Sequence, residues 1–267
     1  MAGSRTFYRV RVFVLLLILA GVLMYALASI RRRRARNDWQ RTVNVAVVVV
    51  RMGPVDEAAL AGLRDRARHL EDHLTRELHR YRPTPSQAFS FVFYGPVDAK
   101  QPPETVASDS TFDLARHSYA QWRWVRAIDA AGNVDCEVYD SCVYVVVRPP
   151  AHERQWFVEG SSEQGGRIGI IEVELDAAMV DFALFVTTHE LLHTLGAIDK
   201  YDETGRTLVP RGLAEPDASP VFPQRFAEVM ARGRVIGEGN EKPPETLDEL
   251  SVGRFTAEEI GWVAASK

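Results

Sequence analysis

The 267-residue chain predicts an α/β fold on three observations. Short β-branched runs alternate with longer segments of helical periodicity, a strongly apolar helix follows the last of these runs, and a loop-rich stretch closes the chain. Each element can be justified in order.

Residues 1–11 form a basic tail with Arg5, Arg9 and Arg11, and Val12 to Ile30 is a 19-residue run without a charge. A helix of about 20 apolar residues spans the hydrocarbon core of a bilayer, so residues 12–30 are read as a transmembrane anchor. Residues 31–41, with Arg31 to Arg34 and Arg36, are an arginine-rich linker. Ala26-Leu27-Ala28 also resembles a signal-peptidase site, which leaves a secreted form as the alternative. The arginines directly after the run favour retention.

Residues 42–267 are long enough for one domain with its own core. Val43 to Arg51 reads as a strand, and Val55 to about Tyr81 as one long helix of Ala, Leu and paired charges. Ala88 to Tyr94 is a second strand, Thr111 to Ala130 a helix, Cys142 to Arg148 a third strand, and Arg167 to Leu175 a further one. The apolar helix from Ala177 to Leu195 comes next. Gly205, Pro210, Gly212, Pro216, Pro220 and Pro223 then mark loops, and a final helix is expected from Thr256 to Ala265.

Charge narrows the partners. Eight of the 32 basic residues lie in the first 36 positions, where there is no acid, so the remainder carries 24 basic against 36 acidic residues, a net of −12. Such a surface repels nucleic acid. Phosphate-loop spacing is absent from Gly160 to Gly169, and no GxSxG elbow serves a serine hydrolase.

Chemistry is concentrated in His189-Glu190-Leu191-Leu192-His193. On a helix, residues four apart share one face, so both imidazoles can reach one ion. Glu190 sits one residue on, placed to take a proton from a water held at that ion without occupying it. A catalytic zinc wants three protein ligands and an open position. Gly196 can end the helix in a left-handed turn that brings Asp199 back to the ion. Asp202 is a weaker alternative ligand, Glu228 would serve if the third ligand came from a later element, and the Tyr201 phenol is a candidate donor to an oxyanion or to a ligand. His69 and His73 are also four apart, but Glu71 is misplaced for this motif and the segment reads as a solvated helix face.

The run HELLHTLGAID resembles the H-E-x-x-H-x-x-G-x-x-(H/D) signature of the metzincin zinc peptidases, in the variant with Asp as third ligand seen in snapalysin-like enzymes. The close likeness covers about a dozen residues. It implies a zincin-type fold, a twisted mixed sheet whose edge strand lies along the cleft, with Arg167 to Leu175 near that edge and the loop-rich C-terminal part below. It implies Zn2+ held by His189, His193 and Asp199, with Glu190 as general base in a metalloendopeptidase acting on a peptide or protein. Metzincins also carry a methionine turn beneath the metal; Met230 looks like that residue, ordinary core packing being the other reading. Asp as third ligand makes the site more anionic and the water less acidic. An inactive zincin-like domain that binds metal or a protein, and a zinc-dependent hydrolase of a non-peptide amide, stay open.

The side of the membrane is drawn two ways. Five arginines after the anchor against three before it tilt the domain to the cytoplasm, whereas a Cys136–Cys142 disulfide and the resemblance to an exported class tilt it outside, which is the reading adopted.

Overall fold

The computed structural model describes residues 3–83, 87–103, 110–150, 160–162 and 165–263. Two compact units divide the chain, Met1–Asp38 and Trp39–Lys267. The first is one helix, α1 (Gly3–Arg36), long and apolar enough to cross a membrane. Its helix continues through the arginine stretch. The folded domain begins at Trp39, whose indole donates to the Ile260 carbonyl at 2.8 Å and packs edge-on against Phe89 and Trp262.

The domain is built on a five-stranded mixed sheet of β1 (Val43–Arg51), β2 (Phe89–Asp98), β3 (Ser141–Arg148), β4 (Gly160–Ser162) and β5 (Ile168–Glu174), in the order β2-β1-β3-β5-β4. The first four in that order run parallel, and the edge strand β4 pairs antiparallel to β5, Ser161 opposite Ile170. Helices cover both faces, which is why β1 and β3 read as continuous valine runs rather than as an alternation. Val45, Val47 and Val49 meet α2 (Glu57–Asp65), α3 (Ala67–His79) and α5 (Val180–Leu195), while Ala46, Val48 and Val50 meet α4 (Thr111–Gly132). Below follow the short strands β6 (Ala227–Glu228), β7 (Arg234–Gly237), β8 (Asn240–Lys242) and β9 (Leu250–Ser251), and α6 (Arg254–Glu259).

Several boundaries differ from the sequence reading. The long helix is divided at Arg66, whose guanidinium makes a two-pronged pair with Asp181 on α5 at 2.8 and 2.6 Å. Gly62 belongs to the same junction, since a Cβ there would lie 3.1 Å from Val180. β2 extends past Tyr94 through a cis Gly95–Pro96 bond, because a shift of register opposite Val48 and Val50 absorbs it. β5 lies next to the edge, as expected of Arg167 to Leu175, and the three residues of β4, which were not expected, form the edge itself. α6 stops at Glu259, where Gly261 at φ +82 and bonds from Gly261 to the Glu258 carbonyl and from Trp262 to the Ala257 carbonyl close the helix and turn Trp262 into the core. The end expected at Ala265 lies outside the described residues. His73 is buried rather than solvated, bonded to the Leu250 carbonyl at 2.6 Å, and His69 pairs with Asp248 at 2.9 Å. Cys136 and Cys142 form a disulfide that ties the turn before β3 to the start of that strand.

Candidate metal centre

The whole of α5 is buried except Asp181 and His193, which are partly so, because the helix is wedged between the sheet and α2. A helix that apolar gives polar groups no water, so each must find a partner. The hydroxyls of Thr187 and Thr188 bond back to the Ala183 and Leu184 carbonyls, and Thr194 meets Ser141 at 2.8 Å. His189 and His193 use their Nδ1 atoms on backbone carbonyls, of Val229 at 2.8 Å and of Ala197 at 3.0 Å.

Those carbonyls accept only, so each Nδ1 carries the hydrogen and each Nε2 presents a lone pair. The two Nε2 atoms lie 3.1 Å apart. Asp199 Oδ1 stands 3.2 Å from the first and 3.1 Å from the second. Three donor atoms thus form a nearly equilateral triangle. Ligands about 2.0–2.1 Å from a tetrahedral zinc are about 3.3 Å from one another, so the triangle has the size of three corners of such a site. Two nitrogen lone pairs and a carboxylate facing one another are repulsive without a cation or proton between them, and the donor set therefore fits a divalent ion.

Chain geometry explains how Asp199 arrives. Gly196, at φ +108, ends α5 with bonds from Gly196 to the His193 carbonyl and from Ala197 to the Leu192 carbonyl. The next turn is pinned from α6. Glu259 accepts from the Ile198 amide at 3.0 Å and from the Lys200 ammonium at 2.6 and 2.7 Å, and Lys200, 1% exposed, also donates to the Ile198 carbonyl. One carboxylate therefore holds the residues on both sides of Asp199.

Burial would raise the Asp199 pKa, but without an ion among the three donors a proton taken up at either Nε2 gives Asp199 a charged donor, and that pull holds its carboxyl far below the usual carboxylate range. Burial works against charge on His193, and Asp199 and Glu190 outweigh it, leaving the imidazole above its ordinary value. Tyr201 stacks on His189 with ring centroids 6.3 Å apart and bonds to Asp199; burial and that negative charge raise its pKa, so its phenol stays a donor.

Glu190, 4% exposed, offers an oxygen within 4.8 Å of the histidine ligand atoms. Its side chain reaches toward the sheet edge. A Cβ at Gly160 of β4 would collide with Glu190 Oε1, so that strand approaches the carboxylate as glycine alone allows, while a Cβ at Gly169 of β5 would make ordinary contact with Glu190 Cβ at 3.4 Å.

Met230 is fully buried in a turn that the Ala231 amide closes on the Glu228 carbonyl at 3.0 Å. That turn touches both ligand segments, through Val229 to His189 and through the Met230 carbonyl, which accepts from the Lys200 amide at 2.8 Å. Glu228 is engaged elsewhere than at a metal: its carboxylate accepts from the amides of Met230 and Gly253 and the hydroxyl of Thr256. Burial raises its pKa against the pull of those donors. Asp202 accepts from Thr204 and Arg206 and closes its own loop. The sequence reading did not assign the supporting parts played by Glu228, Lys200, Glu259 and Gly160. An acid inside the apolar run Phe226 to Ala231 was the one visible signal.

No protein-family model and no curated protein matches the chain. Among solved structures it is similar to archaemetzincin from Methanopyrus kandleri, at 16% identity and a TM-score of 0.40, over 82% of this chain and 93% of that one.

Proposed function

We propose that the chain is a membrane-anchored, zinc-dependent metallopeptidase that cleaves internal bonds of a peptide or protein. The triangle of His189, His193 and Asp199 donor atoms carries this reading. Zinc bound there would supply a Lewis acid for the scissile carbonyl and make water more acidic. Glu190 accepts the proton of the attacking water and returns it to the leaving amine. Tyr201, kept protonated, is a hydrogen-bond donor for negative charge developing on the substrate oxygen. Val229 and Ala197 fix the imidazole orientation. The purified protein is expected to hold about one zinc per chain. Metal analysis of a His189→Ala/His193→Ala variant should find that zinc gone, and unchanged content would show the site to be wrong.

A second reading, metal binding without hydrolysis, is favoured by the closeness of β4 to Glu190. Wild-type protein with its zinc and no activity on a broad peptide library would decide for it.

We read α1 as the anchor and the domain as extracytoplasmic, since the Cys136–Cys142 disulfide persists only under oxidising conditions. Alkaline carbonate is expected to leave the full chain in the membrane fraction, and external protease on intact cells to digest the domain. Full protection from the protease would place the domain in the cytoplasm. Release by carbonate, with an amino terminus near Ser29, would identify a secreted protein instead.

A further inference from the structure

α4 buries only Val125 and Ile128 among its 22 residues. At 3.6 residues per turn, Phe112, Arg116, Tyr119, Arg123 and Arg126 project from the side opposite that pair, and Trp122 stands at the flank of that face. The three aromatics are 74%, 59% and 56% exposed, and the three arginines are exposed as well. Tyr119 and Trp122 stack with centroids 5.8 Å apart and form one aromatic patch, with Phe112 two turns before Tyr119 on the same side of the helix. Of the acids in α4, Asp129 turns inward to the Tyr144 hydroxyl at 2.6 Å, and Asp113 lies 4.0 Å from Arg116. A basic, aromatic stripe is thus displayed by a domain whose sequence beyond residue 36 carries a net charge of −12.

Large aromatics grouped on a surface cost free energy in water and mark a face that something covers. The composition suits a lipid surface. Tyrosine and tryptophan are enriched where an apolar phase meets water, and arginines among them pair with anionic headgroups while their stems lie on the acyl boundary. Tyrosine, tryptophan and arginine also anchor protein interfaces, and the tether decides between the two: a helix long and apolar enough to cross a membrane directly precedes the domain and keeps a lipid surface within its reach.

We propose that this face of α4 docks on the surface of an anionic bilayer, its rings at headgroup depth and its arginines on lipid phosphates. The tether rests on the reading of α1 as a membrane span, after which only Asn37 and Asp38 precede the folded domain at Trp39. Docking would hold the domain against the membrane instead of leaving it free to swivel, and would restrict substrates to those presented near the lipid surface.

The experiment uses the full chain in nanodiscs of neutral and anionic phospholipid, with bimane on Ala115→Cys, a position on the same face as Tyr119. The native cysteines are joined, so the label has one thiol to find. Lipids carrying a nitroxide near the headgroup are expected to quench roughly half of the emission, against a tenth or less from Ala61→Cys on α2, which packs on the other face of the sheet. Adding Phe112→Ser, Tyr119→Ser and Trp122→Ser, all exposed and outside the core, should bring the Ala115 signal down to the Ala61 level. Purely neutral discs should weaken it. Equal quenching at both positions, or none at Ala115 while the chain elutes with the disc, overturns the proposal, and the second result would turn the face over to a protein partner. If the chain stays out of the discs, the anchor reading fails separately; sedimentation with vesicles of the same anionic lipid then reads α4 alone, where binding lost in the triple variant supports docking and absent binding overturns it.

Discussion

Replacing Glu190 by Gln is expected to lower peptide hydrolysis by about three to four orders of magnitude while zinc content and fold stay unchanged. The side chains have the same shape, so the approach of β4 at Gly160 and of β5 at Gly169 is preserved. What changes is one acceptor. A carboxylate can take a proton from water and give it up, and an amide at pH 7 cannot. Glu190 is 4% exposed, so no neighbouring solvent group substitutes readily for it. The readout is kcat/KM on any peptide that the wild type cleaves, with zinc measured on the same sample. Activity within tenfold of wild type would remove the general-base role, whereas loss of zinc along with activity would make Glu190 a ligand or a structural support. The two failures are distinguishable because His189 and His193 approach Asp199 independently of Glu190.

How much of this was legible in the sequence depends on the range of the forces involved. β1 and β3 were readable because burial on both faces demands a valine run, and the α5 helix because its histidine spacing and its glycine stop are local features. The same local signal placed Asp199 beside the histidines. Long-range contacts were not readable. The division at Arg66 coincides with a salt bridge to Asp181, 115 positions later, and nothing between residues 55 and 81 announces it. Gly95-Pro96 looked like the end of a strand, since glycine and proline usually punctuate, yet the sheet takes the pair into a shifted register. β4 is three residues long and lacks a hydrophobic alternation of its own. Which side of the helix read over Thr111 to Ala130 faces the sheet was not readable either; only the placement of α4 shows that Val125 and Ile128 turn inward while Tyr119 and Trp122 face out.

Removing the Glu228 carboxylate is the largest stability change expected among the polar residues, about 3–5 kcal/mol for Glu228→Ala. The change leaves two amides and a hydroxyl, of Met230, Gly253 and Thr256, without their acceptor in a site that water does not reach. Each such loss costs about 1–3 kcal/mol, and the sum approaches a third or more of the total stability of an ordinary domain. Urea unfolding of the metal-free protein measures it, with exposed Glu238→Ala as a control expected within about 0.5 kcal/mol of wild type. The metal site should also respond. Val229 stands between Glu228 and Met230, and its carbonyl holds His189 Nδ1, so a loosened turn frees the imidazole and should weaken zinc binding by about 10- to 100-fold. Zinc titration in competition with a chelator gives that number independently of stability. If stability falls as expected and zinc affinity does not move, the turn is a core element only, and the orientation of His189 comes from α5 alone.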